Sequence, residues 1–372
     1  MADKRVTLKD IALAANVSIG TVDRAVNGKG RINAETQRVI MQKVHELNYR
    51  PNKIASTLRR HKAYKIALVI PDTNHFFRLI IDGAKKACED FDDYAVSLHV
   101  IPQDSEENPQ GQLRDIAQAM DCGDVSDKYG GLIIAPLHAS VTQAINEAAA
   151  RGIQVVTVNM DAKDSARMCY VGQDPWRTGG IIASVFGKFL NNAAEIAVIE
   201  AKGRVSWQQR TEGFMDVLEK DFQGIRVACA FEYQGDRRTA YDLAISILRD
   251  RPQIRGIFAN TTEGTIGIGT AILDMNRKGK VIAVSYDTPP EGMKLLDDNA
   301  IVATVTQNPF LQGYHAAKIM CRILLERVLP EKTMWYTSAD LIVNSRQLSL
   351  NAESVNHIGC ELMQPFCAVC QR

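Results

Sequence analysis

Hydrophobic positions along the chain follow two different periods, and the change comes near residue 62. In the first stretch they recur at helical spacing. Thr7-Leu8-Lys9-Asp10 has the form of a capping box ahead of Ile11, Ala12, Ala14 and Ala15, so a first helix is expected to end at Asn16. Ser18 reads as the N-cap of a second helix from Ile19 to about Val26, stopped at Asn27-Gly28 where glycine takes the left-handed backbone. A third helix runs from its cap Asn33 through Val39, Ile40, Val44 and Leu47, and Pro51 prevents its continuation. Two short helices separated by a turn of three or four residues suit a helix-turn-helix.

From Tyr64 the pattern becomes one of short apolar runs. Lys65–Pro71 reads as a buried strand, followed by a helix over Phe76–Asp90 with Leu79, Ile80, Ala84 and Ala87 on one face. Further strands are expected at Ala95–Ile101, Gly131–Ala135, Gln154–Val158, Ile196–Glu200, Arg226–Phe231, Gly256–Ala259, Val281–Tyr286 and Ile301–Val305. A last helix is expected over 313–328 and a late strand over Trp335–Val343. Near-continuous apolar strands alternating with amphipathic helices imply parallel sheets covered on both faces. The length suits two such sheets, with ligands beyond the carboxyl ends of the strands.

Charge sharpens the division. The chain of 372 residues has a net charge of +1, yet residues 1–62 hold 13 Lys+Arg against 5 Asp+Glu, a net of +8, so the remainder carries −7. A basic head on an acidic body places one end of the chain on a polyanion. The polar N-terminus and the lack of any run of about 20 apolar residues predict a cytoplasmic protein with no membrane partner. The eight cysteines are then expected to be reduced thiols, packed as small hydrophobes. Cys367 and Cys370 form a C-x-x-C with Cys360 upstream, but only His357 lies near as a further ligand, so no metal or cofactor is assigned.

Particular residues carry a resemblance. Val6–Ala12, Ala15-Asn16-Val17-Ser18, Thr21–Gly28 and Leu47–Asn52 closely resemble the head of the lactose-repressor family, in a match nearly continuous over the first sixty residues. The resemblance implies double-stranded DNA as partner, read as a pseudo-palindromic operator by a homodimer. It puts Ile19, Gly20 and Arg24 at the base-reading positions. Arginine can pair bidentately with guanine, Ile19 can make only apolar contact, and Gly20 has no side chain to offer. Lys9, Ser18, Thr21, Asn27 and Arg31 are the candidates for phosphate contacts. Asp23 stands where many members carry serine, which leaves base preference open. Residues 51–62 follow the family's hinge, which folds into a short helix on the operator. Leu58 matches the leucine wedged into the minor groove, and Ala55 is small enough for paired hinge helices to approach closely.

Over residues 63–345 the order of strands and loops resembles the ribose-binding type of periplasmic binding protein, with 346–372 as a tail. The fold class expected is thus α/β: a helix-turn-helix head over 1–50 and a two-lobed body of two Rossmann-like parallel sheets. The resemblance implies an effector between the lobes, a monosaccharide or close derivative, with Asn74, Phe77, Arg210, Asp287 and Gln307 at its core. Phe76, Asn159, Asp161, Asp174, Thr261 and Tyr286 complete the candidates. Met160 and Ala135 depart from the ribose pattern, standing where an arginine and an amide are common. The dimer is expected to form through the first lobe, around Phe76–Cys88 and Gln110–Met120. A nucleobase or phosphosugar effector is the alternative within this architecture. A transport receptor conflicts with residues 1–62. Enzymatic activity is not expected: Gly267-Ile268-Gly269 lacks the third glycine of a dinucleotide fingerprint, and no P-loop, HExxH or Ser–His–Asp spacing appears.

Overall fold

In the computed structural model, residues 6, 8–27, 32–47, 64–91, 96–106, 108–121 and 128–343 are described. The expected hinge with Ala55 and Leu58 lies outside them, as do Arg31 and the tail with Cys360, Cys367 and Cys370. Contacts divide the chain into two units, Met1–Tyr64 with Glu89–Ser97, and Lys65–Cys88 with Leu98–Arg372.

The head has helices α1 (Leu8–Ala14), α2 (Ile19–Asn27) and α3 (Ala34–Glu46), close to the expected bounds. Asn16 turns the chain after α1 with a positive φ of 52°, a conformation asparagine tolerates better than most residues. The Ser18 Oγ accepts the Thr21 amide (3.2 Å) and the Asn33 Oδ1 accepts the Glu35 amide (2.9 Å), so both expected caps form. Ile11, Ala12, Val22, Ala25 and Ile40 close a small core between the three helices.

The body repeats one topology twice. The first lobe has strands β1 (Tyr64–Pro71), β2 (Val96–Gln103), β3 (Tyr129–Ile134), β4 (Gln154–Val158) and β5 (Cys169–Gly172), with helices α4 (His75–Glu89), α5 (Pro109–Met120) and α6 (Val141–Ala150). Ile66–Ile70 are fully buried, as expected of a strand covered on both faces. The second lobe has β6 (Ala194–Ala201), β7 (Ile225–Tyr233), β8 (Gly256–Ala259), β9 (Val284–Tyr286) and β10 (Ala303–Val305), with α7 (Pro175–Phe189), α8 (Val205–Asp221), α9 (Arg237–Asp250), α10 (Thr262–Asp274) and α11 (Pro290–Asp297). Helix α12 (Pro309–Glu326) returns to pack on β3, β4 and β5.

Sheet order in the first lobe is β2-β1-β3-β4-β5-β11, where β11 is Met334–Tyr336. In the second it is β7-β6-β8 and then β9-β10-β12, where β12 is Leu341–Ile342 and a Gly256–Ile282 bridge joins the two parts. The single strand expected over 335–343 is therefore two. β11 runs parallel to β5, while β12 runs antiparallel to β10 in the other lobe. Strand β5 has no counterpart in the sequence reading, and α12 begins four residues before the expected 313.

Three segments carry the chain between the lobes: the one after β5, the one after β10 and the one after β11. They are tied together. The Thr337 amide donates to the Gly172 carbonyl (2.7 Å), and its hydroxyl to the Gln307 carbonyl (3.0 Å). The Asn308 amide, at a residue of positive φ, donates to Ser338 and Asp340. Each crossing helix then meets the first helix of the lobe it enters through paired glycines. A Cβ on Gly313 would run into the Ile80 carbonyl and one on Gly83 into the Phe310 carbonyl. In the second lobe Gly179 stands against the Arg210 carbonyl and Gly213 against that of Trp176. Helix α7 thereby fixes the backbone of Arg210.

Candidate functional site

In the head, Ser18, Ile19, Gly20 and Arg24 are exposed while Val22 and Ala25 of the same helix are buried, so α2 presents one uncovered face. Lys9 is exposed on α1, and Asn27 ends α2. Ser18 Oγ lies 2.8 Å from Thr21 Oγ1, which also accepts from Arg24 Nη2 at 3.4 Å. Ile19 is 49% exposed although it is a large aliphatic side chain. A Cβ on Gly20 would meet only Ser18 Oγ, at 3.8 Å, so packing does not require glycine there.

In the body a cleft of about 940 Å³ opens between the lobes. The loops beyond the carboxyl ends of the strands build it, as open α/β sheets dictate. Eight of the eleven expected effector residues line it: Asn74, Phe76, Phe77, Asn159, Arg210, Thr261, Asp287 and Gln307. Asn74 Oδ1 accepts the Phe77 amide (3.3 Å), which starts α4, and Phe76 stands edge-on to Phe77 with ring centres 5.5 Å apart. Asn159 has a φ of 62° at the end of β4, and its amide donates to Gln312 Oε1 (3.2 Å). Gln312 is fully buried on α12 and donates in turn to the Gln307 carbonyl (2.8 Å).

Charge concentrates around Arg210 and Asp287. Arg210 is 6% exposed; its Nη1 donates to the Asn260 carbonyl (3.1 Å) and its guanidinium carbon lies 3.9 Å from the Tyr286 ring centre. Gln307 Nε2 donates to both Asp287 oxygens (2.9 and 2.8 Å), and Thr262 Oγ1 donates to Oδ2 (3.3 Å). Burial pushes the Asp287 carboxyl up to about 6, against the pull of Arg210, Gln307 and Thr262 toward the charged form.

Three expected residues lie elsewhere. Asp161 pairs with Arg167 through both carboxylate oxygens and accepts from Thr157 Oγ1, an arrangement internal to the first lobe. Asp174 caps α7 by accepting the Arg177 amide (3.1 Å). Tyr286 lies fully buried beneath Arg210 and supports it from behind. Met160 does line the cleft, whereas Ala135 is buried with its carbonyl accepting from Gln112 (2.9 Å).

Sequence reasoning missed a second set. Glu106 follows β2 and Arg204 precedes α8, and they form an ion pair of 2.9 Å between the lobes at the cleft. Asn74 Nδ2 and Thr73 Oγ1 also donate to Glu106 Oε1. Trp207 lines the cleft in the second lobe with Arg204 4.7 Å from its ring centre, so each lobe brings an aromatic surface. Arg237 pairs with Glu263 (2.8 Å) at the same cleft. Among the described residues no group of three or more His, Cys, Asp or Glu side chains could hold a metal ion, and no helix is long and apolar enough to cross a membrane. Among the described residues the cysteines form no disulfide: Cys88, Cys169 and Cys321 are buried thiols and Cys229 is half-buried.

Comparison with known proteins agrees with this geometry. Residues 66–327 match the family described as periplasmic binding protein domain, and residues 7–52 match bacterial regulatory proteins, lacI family. The chain is 30% identical to the D-allose-binding periplasmic protein of Escherichia coli over 60% of this chain and 74% of that one. It is 25% identical to the ribose operon repressor of Bacillus subtilis over 87% of this chain and 94% of that one. Among solved structures, GanP, a glucose-galactose binding protein from Geobacillus stearothermophilus, superposes with a TM-score of 0.67 at 28% identity, covering 76% of this chain and 98% of that one. Over residues 66–327, with loops converging on one polar cleft, this chain belongs to the periplasmic binding protein domain family, and at residues 7–52, with an uncovered face on the second helix, it carries a head of the lacI family of bacterial regulatory proteins.

Proposed function

We propose that the chain is a transcriptional repressor whose operator affinity is set by an uncharged sugar held between the two lobes of the body. The observation that carries this reading is the constellation of Arg210, Asp287 and Gln307 beside the aromatic surfaces of Phe76 and Trp207. A carboxylate held by an amide, with a guanidinium alongside, suits vicinal hydroxyls, and the rings suit the apolar faces of a pyranose or furanose.

The arginines favour a neutral ligand over a phosphosugar or a uronate. Arg204 is paired with Glu106, Arg237 with Glu263, and Arg210 has its charge set against Asp287. An anionic group would have to compete with these carboxylates for each of them.

The protein acts in the cytoplasm, where its DNA lies, and as a homodimer, since each head reads one half of a two-fold operator. The buried face of α4 is occupied by α12 within the same lobe, which leaves a partner the exposed sides of α4 and α5. It carries out no catalysis.

A thermal-shift screen tests the sugar reading. D-allose, D-ribose, D-arabinose and D-galactose would be compared with their phosphates, with uronates and with nucleobases. A sugar at 100 times its Kd adds about 2.7 kcal/mol of stability. One neutral sugar is expected to raise the Tm; a response confined to phosphates, uronates or bases would overturn the ligand class and leave the DNA-binding assignment in place.

A further inference from the structure

Gln173 lies on the first of the three segments that pass between the lobes, directly before the capping residue Asp174. Its backbone is fixed on both sides: its own carbonyl accepts the Tyr170 hydroxyl (3.0 Å), and the Gly172 carbonyl accepts the Thr337 amide (2.7 Å). The residue is 2% exposed and lines the effector cleft. Its side-chain Oε1 is buried and has no hydrogen-bond partner among the described residues. A folded chain loses stability by burying an acceptor in this way, and apolar side chains of the same length avoid the loss. Nothing in the packing of the crossing calls for an amide, because the main chain makes the local hydrogen bonds.

The other amides of the cleft show what such an acceptor is for. Asn159 uses its NH2 on Gln312, which leaves its Oδ1 as the free function of that side chain. Gln307 uses its NH2 on Asp287. Asn159 and Gln307 thus keep their side-chain oxygens, and the unpartnered Gln173 Oε1 belongs to a residue lining the same cleft; a ligand rich in hydroxyl donors satisfies all three.

We infer that Gln173 is a specificity-determining contact of the effector, its Oε1 accepting a hydrogen bond from one hydroxyl of a neutral sugar. This rests on the sugar reading above and extends it. Gln173 and Gln307 stand on two of the three crossings, so one sugar held by both ties those segments together. The contact that selects the sugar is then also a contact with the hinge.

The experiment uses the full chain, the variant Gln173→Met, and as probes D-allose, D-ribose, D-arabinose and their monodeoxy analogues. Binding is read by calorimetry and Tm is read without sugar. Wild type is expected to discriminate against one monodeoxy analogue of its preferred sugar by about 10- to 100-fold. Gln173→Met is expected to melt at or above wild type without sugar and to bind the parent sugar about 10- to 100-fold more weakly. It should no longer distinguish the parent from that one analogue, while still distinguishing the others. A variant that melts below wild type without sugar, or that keeps the parent affinity and the full deoxy discrimination, overturns the inference. The deoxy series on wild type stands on its own if the variant folds poorly: equal binding of every analogue also overturns it. Failure of wild type to bind any of the three sugars is a different result, since it overturns the sugar reading before Gln173 is reached.

Discussion

The Arg210 guanidinium carbon lies 3.9 Å from the centre of the Tyr286 ring, and that ring is itself fully buried. A helix that enters from the crossing and the strand end that carries Asp287 meet in this stack. Gly179 of the crossing helix α7 stands against the Arg210 carbonyl, and Tyr286 ends the strand that leads directly into Asp287. The planar guanidinium can lie on an aromatic face in a way that a lysine ammonium cannot. Arg210→Lys is therefore expected to weaken sugar binding by about 100-fold, close to Arg210→Ala, with operator binding in the absence of sugar unchanged. Calorimetry with the sugar found by thermal shift, alongside operator titration, checks both halves.

Asp287 should make sugar binding depend on pH. Its carboxyl is raised from 3.8 to about 6 by burial, so the folded chain holds that proton more tightly than the unfolded chain does. The group thus contributes stability below pH 3.8, and the contribution is lost as the pH rises from there to about 6. Hydroxyl donors bind the ionised form, so affinity runs the other way: it should be level above pH 7 and about tenfold weaker at pH 5. Asp287→Asn should bind weakly at every pH, with this dependence gone. A slope that survives in Asp287→Asn would assign it to another group.

The Glu106–Arg204 pair joins the lobes at a partly exposed position, with side chains 22% and 27% accessible. Such a pair contributes about 1 kcal/mol or less. Glu106→Gln is expected to weaken sugar binding about two- to fivefold. Wild-type affinity should fall with added salt more steeply than that of Glu106→Gln, and equal salt slopes would remove the pair from the account.

Gly313 is predicted to be intolerant of any side chain. A Cβ there meets the Ile80 backbone carbonyl, which has no freedom to rotate away, so α12 must separate from α4. Gly313→Ala should destabilise the body by about 1–3 kcal/mol, readable as a fall in denaturant midpoint, whereas Gly20→Ala, in open space on α2, should leave stability unchanged or slightly higher.

Much of this was legible in the sequence because it is local. Caps such as Ser18 and Asn33, the buried run Ile66–Ile70 and the strands 154–158 and 256–259 announce themselves through their neighbours. Asn74, Asp287 and Gln307 follow strand ends, where a ligand sits in such sheets, and Arg210, inside α8, is reached only through the resemblance to ribose-type binding proteins. What stayed hidden is non-local. Four-residue β5 is too short to show a period, and the run 335–343 gives no sign that its two ends join different sheets. Glu106 and Arg204 are 98 residues apart and each reads alone as a solvated charge. Gln173 and Asp174 look equivalent at a strand end; only the fold shows that the aspartate caps a helix while its neighbour faces the cleft.

The central claim is that occupancy of the cleft controls the head. The direct test is operator affinity of the full chain, measured by fluorescence anisotropy on a site selected from random DNA, with and without the sugar that raises its Tm. The account predicts a change of at least tenfold in wild type, about 1.4 kcal/mol of coupling, and none in Asp287→Ala, which should still bind the operator. Unchanged operator affinity in wild type at saturating sugar would contradict it.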